Sequence, residues 1–360
     1  MVNRGEEGAE LWREGGGDAG PPARGVQIEK KEGSGMLKKV VTYVVAAACF
    51  TGLFAHDSYG QKYPTQPVEI IVPYTAGASL DVVSRVVAQT LPKYLGQPVV
   101  VVNKIGAGGS IAAGYIIASK PDGYKVFHTS TLFFAVTVKT QRIPFDPQIL
   151  VPLVNLTEQA ICLIVMSDGP WKTFGDVVDY GKRNPGKFRW AHAGRGIFEH
   201  VNALVMFRKA GIETIDVPYR GAPEKLTALL GGHVDAAIIA LPVIQEHLRA
   251  GTVRAVAVFN SKRYSFLPDV PCSTELGFPE ASELKPLVGY YVHRDTSEEV
   301  KKTLTDALKK TLYDPVFKKE VDKLGDLLRV EDPDFMRETI RKSGEIADPI
   351  LKELGLYVGK

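Results

Sequence analysis

Short apolar runs alternate with amphipathic stretches along most of this sequence, and turns built of small residues join them. A brief apolar run bounded by turn residues fits a buried strand, whereas apolar residues three and four apart mark a helix with one buried face. Val68-Glu69-Ile70-Ile71-Val72-Pro73 reads as such a strand. Residues 79–95 read as a helix, with Val82, Val83, Val86, Val87, Thr90 and Leu91 at helical spacing and Gly96 ending it. A strand over 98–102, a helix over 111–119 and a strand over 124–129 follow. The rhythm resumes with a strand at 161–166, helices at 174–183, 199–210 and 224–231, and strands at 188–191, 216–217, 236–239 and 253–259. A strand-like run at 287–292 precedes helical stretches at 297–313, 315–324 and 332–354. Strand–helix–strand repetition implies parallel pairing, because parallel neighbours need a crossover and a helix supplies it. Two such sets predict an α/β protein of two lobes, each a mostly parallel sheet flanked by helices. The ligand cleft then lies between the lobes, at the carboxyl ends of the strands.

The first sixty residues have another texture. Residues 1–35 are charged and Gly-rich with almost no apolar periodicity, and read as an extension or a mis-assigned start. Met36-Leu37-Lys38-Lys39 opens an apolar run over 40–55, followed by Ser58-Tyr59-Gly60. A basic start, an apolar middle and small residues before a cut after Gly60 form a secretory signal at 36–60. The folded part is then expected as one lobe over 61–163 and 283–360 and a second over 164–282. Export places the protein in the periplasm.

A net charge of +3 gives no basis for nucleic-acid binding. The three cysteines, Cys49, Cys162 and Cys272, form no CxxC or Cys/His cluster, so no metal site is expected, and Cys162 and Cys272 read as isolated small residues. No cofactor fingerprint stands out. Gly106-Ala107-Gly108-Gly109-Ser110-Ile111 approaches a dinucleotide loop, but Ile111 stands where glycine is required and the segment follows the second strand. His192 and His200 lack a matching Ser/Asp or Cys partner in the sequence pattern, which argues against an enzyme.

Four strand ends are suited to binding. Tyr74-Thr75-Ala76-Gly77-Ala78-Ser79 joins a strand to a helix, and its small residues let backbone N–H groups approach an anion at the helix N-terminus. Asp81 reads as a structural first-turn acid. Ala193-Gly194-Arg195-Gly196-Ile197 repeats the arrangement in the second set, with Arg195 able to pair a carboxylate bidentately. Thr129 and Ser130 offer hydroxyls, and Tyr219 and Arg220 close another strand end.

Taken jointly, YPTQPVEIIVPYTAGASLDVVSR (63–85), LGQPVVVVNKIGAGGSIAA (95–113), PDGYKV (121–126), DVPYRG (216–221), LLGGHVDAA (229–237) and LPDVPCSTELGFP (267–279) resemble the substrate-binding proteins of tripartite tricarboxylate transporters, the Bug family. The resemblance runs from about Tyr63 to Leu354. It implies a type II periplasmic-binding-protein fold and a monomer that holds a small organic carboxylate between one loop from each lobe, through backbone amides and waters. By motif, those loops are Tyr74 to Ser79 and Ala193 to Ile197, with Thr129, Ser130, Tyr219 and Arg220 alongside. The implied partners are membrane permease subunits; a histidine-kinase sensor is the alternative, and an α/β-fold enzyme a more distant one. Ala78 stands where the family has a second glycine, Ile197 where it has Ser or Thr, and Ile239-Ala240 where many members have Asp-Asn. These departures predict a more apolar or aromatic ligand end than that of citrate.

Overall fold

The computed structural model describes residues 63–324 and 327–358. The expected extension 1–35, the signal 36–60 and Cys49 lie outside the described residues. The first half runs β1 (Val68–Val72), α1 (Ser79–Thr90), α2 (Pro92–Leu95), β2 (Val99–Asn103), α3 (Ser110–Ile117), β3 (Lys125–Ser130), α4 (Thr131–Ala135) and β4 (Leu150–Glu158). There follow β5 (Ile161–Met166), α5 (Phe174–Arg183), β6 (Phe188–His192), α6 (Phe198–Lys209), β7 (Thr214–Pro218), α7 (Ala222–Leu230), β8 (Ala236–Ala240), α8 (Leu241–Arg249) and β9 (Val253–Val258). The chain closes with β10 (Leu287–His293), α9 (Glu298–Leu312), α10 (Pro315–Leu324), β11 (Leu327–Glu331) and α11 (Pro333–Glu353).

Among the described residues the strands form two sheets, ordered β11-β4-β10-β3-β1-β2 and β7-β6-β8-β5-β9. The two-sheet α/β architecture agrees with the sequence pattern; the expectation of mostly parallel sheets needs correction. β1 runs parallel to β2 and β3, and β6 parallel to β7 and β8. The remaining pairs are antiparallel: β10 with β3 and β4, β11 with β4, and β5 with β8 and β9. The cause is the traffic between sheets. Only Gln159 and Ala160 separate β4 in one sheet from β5 in the other, and β9 and β10 lie on either side of the return. A strand that enters directly from the other sheet carries no crossover helix, so it need not follow the direction of the strand–helix units.

Sequence periodicity missed β4, β11, α4 and α8. β4 escapes because Pro152, Asn155, Thr157 and Glu158 break up its apolar character, although eight of its nine residues are buried. The segment is buried by tertiary position, between β10 and β11, and not by composition.

Each sheet has its own core. Ile70, Val72, Leu80, Val83, Val87 and Tyr290 meet in the first. Phe188, Trp190, Met206 and Phe207 meet in the second, where the buried Trp190 indole donates to Thr214 Oγ1 at 2.9 Å. Cys162 and Cys272 are both buried and free. α11 spans the two halves: Met336 packs with the first-sheet residues Ile71 and Phe127, while Ala347 and Leu351 join the core of the second. Among the described residues no helix is long and apolar enough to cross a membrane.

The tightest backbone approach is at Gly289 on β10. A Cβ there would lie 2.5 Å from the Val154 carbonyl oxygen and 2.6 Å from Met336 Cε. Gly289→Ala is therefore expected to destabilise the protein by about 1–3 kcal/mol through overpacking. Urea unfolding should show a lower midpoint at unchanged slope; an unaltered midpoint would mean that β4 and α11 yield without cost.

Candidate functional site

The chain passes from β3 and β8 straight into α4 and α8, and from β1, β6 and β7 through short turns into α1, α6 and α7. The first turns of these helices meet between the two sheets. They surround an inner recess of about 30 Å³ lined by Tyr74, Ala78, Ser79 and Leu80 from one side, and by Ala193, Phe198, Glu199, Gly221, Ala222, Lys225 and Ala240 from the other. Ser130 and the connector residue Gln159 complete it. The N-cap residues of α1, α6, α7 and α8 are Ala78, Ile197, Gly221 and Ala240, and none supplies a side-chain acceptor. By contrast, α5, α9 and α11 are capped by Thr173, Ser297 and Asp332. First-turn amides have no intrahelical acceptor, and aligned peptide dipoles leave the N-terminus partly positive. Several such ends directed at one small space make a site for an anion.

The turns from the two sides touch. Thr140 Oγ1 donates to the Gly196 carbonyl at 2.9 Å. A Cβ on Gly221 would sit 2.2 Å from Thr75 Oγ1, so only glycine admits this approach. An outer recess of about 270 Å³ adjoins the inner one and is lined by Pro73, Tyr74, Gly106–Gly108, Gln141, Ala193, Arg195, Tyr219 and Arg220. Tyr74 and Ala193 line both. A wider groove of about 660 Å³ lies between α11 and β4; of the five helices α4 alone lines it, through Phe134 and Ala135.

Side chains hold both turns rigid from behind. Asp81 Oδ2 accepts the Gly77 N–H at 2.9 Å, while Arg85 and Asn103 donate to the same carboxylate, each at 2.9 Å. Burial alone would raise its pKa, but these donors outweigh burial and hold Asp81 below the usual carboxylate range. Its structural role agrees with the sequence. In the second turn, His192 Nδ1 accepts the Gly194 N–H at 3.1 Å and His200 Nδ1 accepts the Gly196 N–H at 3.2 Å. Asp216 accepts from Arg195 at 2.7 Å and lies 3.1 Å from His192 Nε2. Burial pushes both imidazoles down, that of His200 to about 4, with the neighbouring His192 adding to the effect. Burial opposes ionisation of Asp216, but Arg195 and His192 outweigh it and keep the carboxylate below its ordinary value.

No metal-ligand pattern stands in the sequence, yet His192, His200 and Asp216 present ligand atoms within 4.8 Å of one another. The tautomers argue against that use. A neutral imidazole whose Nδ1 accepts an N–H carries its own proton on Nε2, the atom that faces Asp216. Ligation through Nε2 would release Gly194 and Gly196. The trio is an anchor for the turn.

The sequence-predicted residues divide accordingly. Tyr74, Ala78, Ser79, Ser130 and Ala193 line the inner recess, and Tyr74, Ala193, Gly194, Arg195, Tyr219 and Arg220 the outer one. Thr75 and Gly77 face Gly221 and Pro223 across the contact, and Ala76 is exposed. Thr129, Gly196 and Ile197 line neither recess; Ile197 is buried against Gly108. Two expectations change. Arg195 does not wait for a ligand carboxylate, because its guanidinium is engaged by both oxygens of Asp216. The expected loss of polar groups at Ile239-Ala240 is offset: Ile239 turns into the core, and the recess gains Gln159 and the Glu199–Lys225 pair. Sequence reasoning missed these two charges because each reads as an ordinary solvated residue in a first helical turn. Their signal is a pairing 26 residues apart that only the fold makes. The Gly106–Gly108 loop, by sequence an incomplete dinucleotide fingerprint, also lines the outer recess.

Comparison with known proteins agrees with this geometry. Residues 83–356 match the model of the tripartite tricarboxylate transporter family receptor. A UPF0065 protein of the gbd 5' region of Cupriavidus necator is 31% identical over 320 residues, 87% of this chain and 95% of that one. Protein BugT of Bordetella pertussis is 34% identical over 248 residues, 68% of this chain and 74% of its own. Among solved structures, the periplasmic binding protein BugD superimposes with a TM-score of 0.76 at 26% identity, over 82% of this chain and 99% of that one. MatC from Rhodopseudomonas palustris, solved with bound malate, gives 0.73 at 26% identity, over 79% and 100%. The matching proteins are solute-binding receptors and not enzymes. Their two-sheet fold, the extent of the match and the anion-directed cleft lead to one conclusion: this chain belongs to the tripartite tricarboxylate transporter receptor family, the Bug-type periplasmic solute-binding proteins.

Proposed function

We propose that this protein is a periplasmic receptor that captures a small organic carboxylate between its two lobes and delivers it to the permease subunits of a tripartite tricarboxylate-type transporter. The observation that carries the reading is the convergence of helix N-termini without side-chain caps on one recess. A ligand carboxylate seated there accepts from amides that would otherwise lose their water for nothing. Each charge-assisted hydrogen bond contributes roughly 1.5–3 kcal/mol. Three or four, less the cost of ordering, suffice for about micromolar binding. The amides of Gly77, Gly194 and Gly196 are held by Asp81, His192 and His200, so they set the shape of the turns. The amides of Leu80 and Asp81 in α1 and the first-turn amides of α6 are the donors. They come from opposite sides of the cleft, so one anion can engage both sets only when the lobes are closed, and binding favours that state. The malate in MatC supports the ligand class. Membership in the transporter receptor family supports delivery to such permease subunits.

Thermal-shift screening of residues 61–360 against a carboxylate library should raise the melting temperature by several degrees with one chemical class. Ala78→Asp is expected to abolish that shift while leaving the fold intact, because an N-cap carboxylate takes the α1 amides for itself. Retention of ligand binding by Ala78→Asp would place the anion elsewhere, and the absence of any shift across the library would end the proposal. Acid should weaken binding. The histidine pKa values are depressed, so the acceptors behind Gly194 and Gly196 stay intact well below pH 6.5 and are lost only as the pH falls through the lowered values, about 4 for His200. Calorimetry should show similar affinities at about pH 7.5 and about pH 5.5 and weaker binding only as the pH approaches 4; a loss already complete at about pH 5.5 would free the histidines of this role.

A further inference from the structure

Lys225 occupies an expensive position. It lies in the first turn of α7, where the helix dipole disfavours a cation, and its side chain is 1% exposed. It donates to Glu199 Oε2 at 2.6 Å and to the Ile238 carbonyl of β8. Glu199 Oε2 also accepts the Ala193 N–H at 3.3 Å. An ammonium has three donors, and among the described residues these two partners are the ones it has. Both members of the pair line the inner recess, beside the first turns of α1 and α6. A buried ion pair is a poor device for stability, since apolar residues of similar volume serve as well or better. Its placement here points to recognition.

Charge balance decides what it recognises. Lys225 is already neutralised by Glu199, so a second full negative charge brought to the ammonium would also face the Glu199 carboxylate. A neutral oxygen carries no such penalty and satisfies the remaining donor. We infer that the Glu199–Lys225 pair is the specificity determinant of the inner recess and selects carboxylates that carry a hydroxyl or carbonyl oxygen, over plain alkyl acids and over acids with a second carboxylate at that place. The inference rests on the carboxylate-receptor reading above and narrows it to a substrate class.

The test uses probes of one chain length: butyrate, 3-hydroxybutyrate, acetoacetate and succinate, titrated into the mature protein by calorimetry. The native protein should bind 3-hydroxybutyrate or acetoacetate roughly tenfold or more tightly than butyrate and succinate, the loss expected for one charge-assisted hydrogen bond. Lys225→Met should bring the oxygenated acids down to the level of butyrate. Glu199→Gln leaves the ammonium unbalanced and should raise succinate affinity about tenfold relative to 3-hydroxybutyrate. Lys225→Met leaves Glu199 buried without its partner, so if that variant does not fold, the Glu199→Gln/Lys225→Met double variant tests the same loss without an unpaired charge. An unchanged order of affinities in these variants overturns the inference. So does a native protein that binds other carboxylates but none of these four, a result that leaves the receptor reading standing. A native protein that binds no carboxylate removes both.

Discussion

The structure depends on how backbone amides are satisfied where strands of both sheets end. Helices that face solvent are closed by side chains such as Thr173, Ser297 and Asp332. Of the five helices that meet at the cleft, α4 is capped by Ser130, whereas α1, α6, α7 and α8 begin at Ala78, Ile197, Gly221 and Ala240, which have nothing to offer their own amides. Unsatisfied donors out of water are costly, and that cost is the source of affinity for an anion. A receptor that binds a ligand without acting on it needs no more than this.

Such donors are useful only if they are held still. Asp81 fixes the first turn through Gly77, and His192 and His200 fix the second through Gly194 and Gly196, with Asp216 and Arg195 behind them. These charges thus act on the backbone of the turns. Arg220 lines the outer recess, and the Glu199–Lys225 pair opens into the inner one. Positioning on a larger scale comes from the passage between sheets. With two residues between β4 and β5, and α11 packed on both cores, the relative placement of the two sets of turns is under tight mechanical control.

Much of this was legible in the chain. The helices 79–90, 174–183 and 298–312 follow apolar spacing, and β1, β5 and β8 follow short apolar runs, because each element buries a face that its own sequence defines. The cleft turns were visible as small residues between a strand and a helix. The remainder was hidden for physical reasons. β4 is buried despite its polar residues because neighbours cover it, and mixed pairing arises from chain direction, which periodicity does not encode. Arg195 has the same side chain whether it meets a ligand or Asp216, and only the proximity of β7 decides between them.

The sequence by itself determined the alternating α/β pattern, the positions of the small-residue turns and the family to which the chain belongs, since these rest on local spacing and short motifs. Tertiary structure alone decided which amides remain for a ligand, which histidines brace the second turn, and that Glu199 and Lys225 meet in the recess. These depend on distances between residues far apart in the chain, and such distances exist only once both sheets have formed and their strand ends face one another.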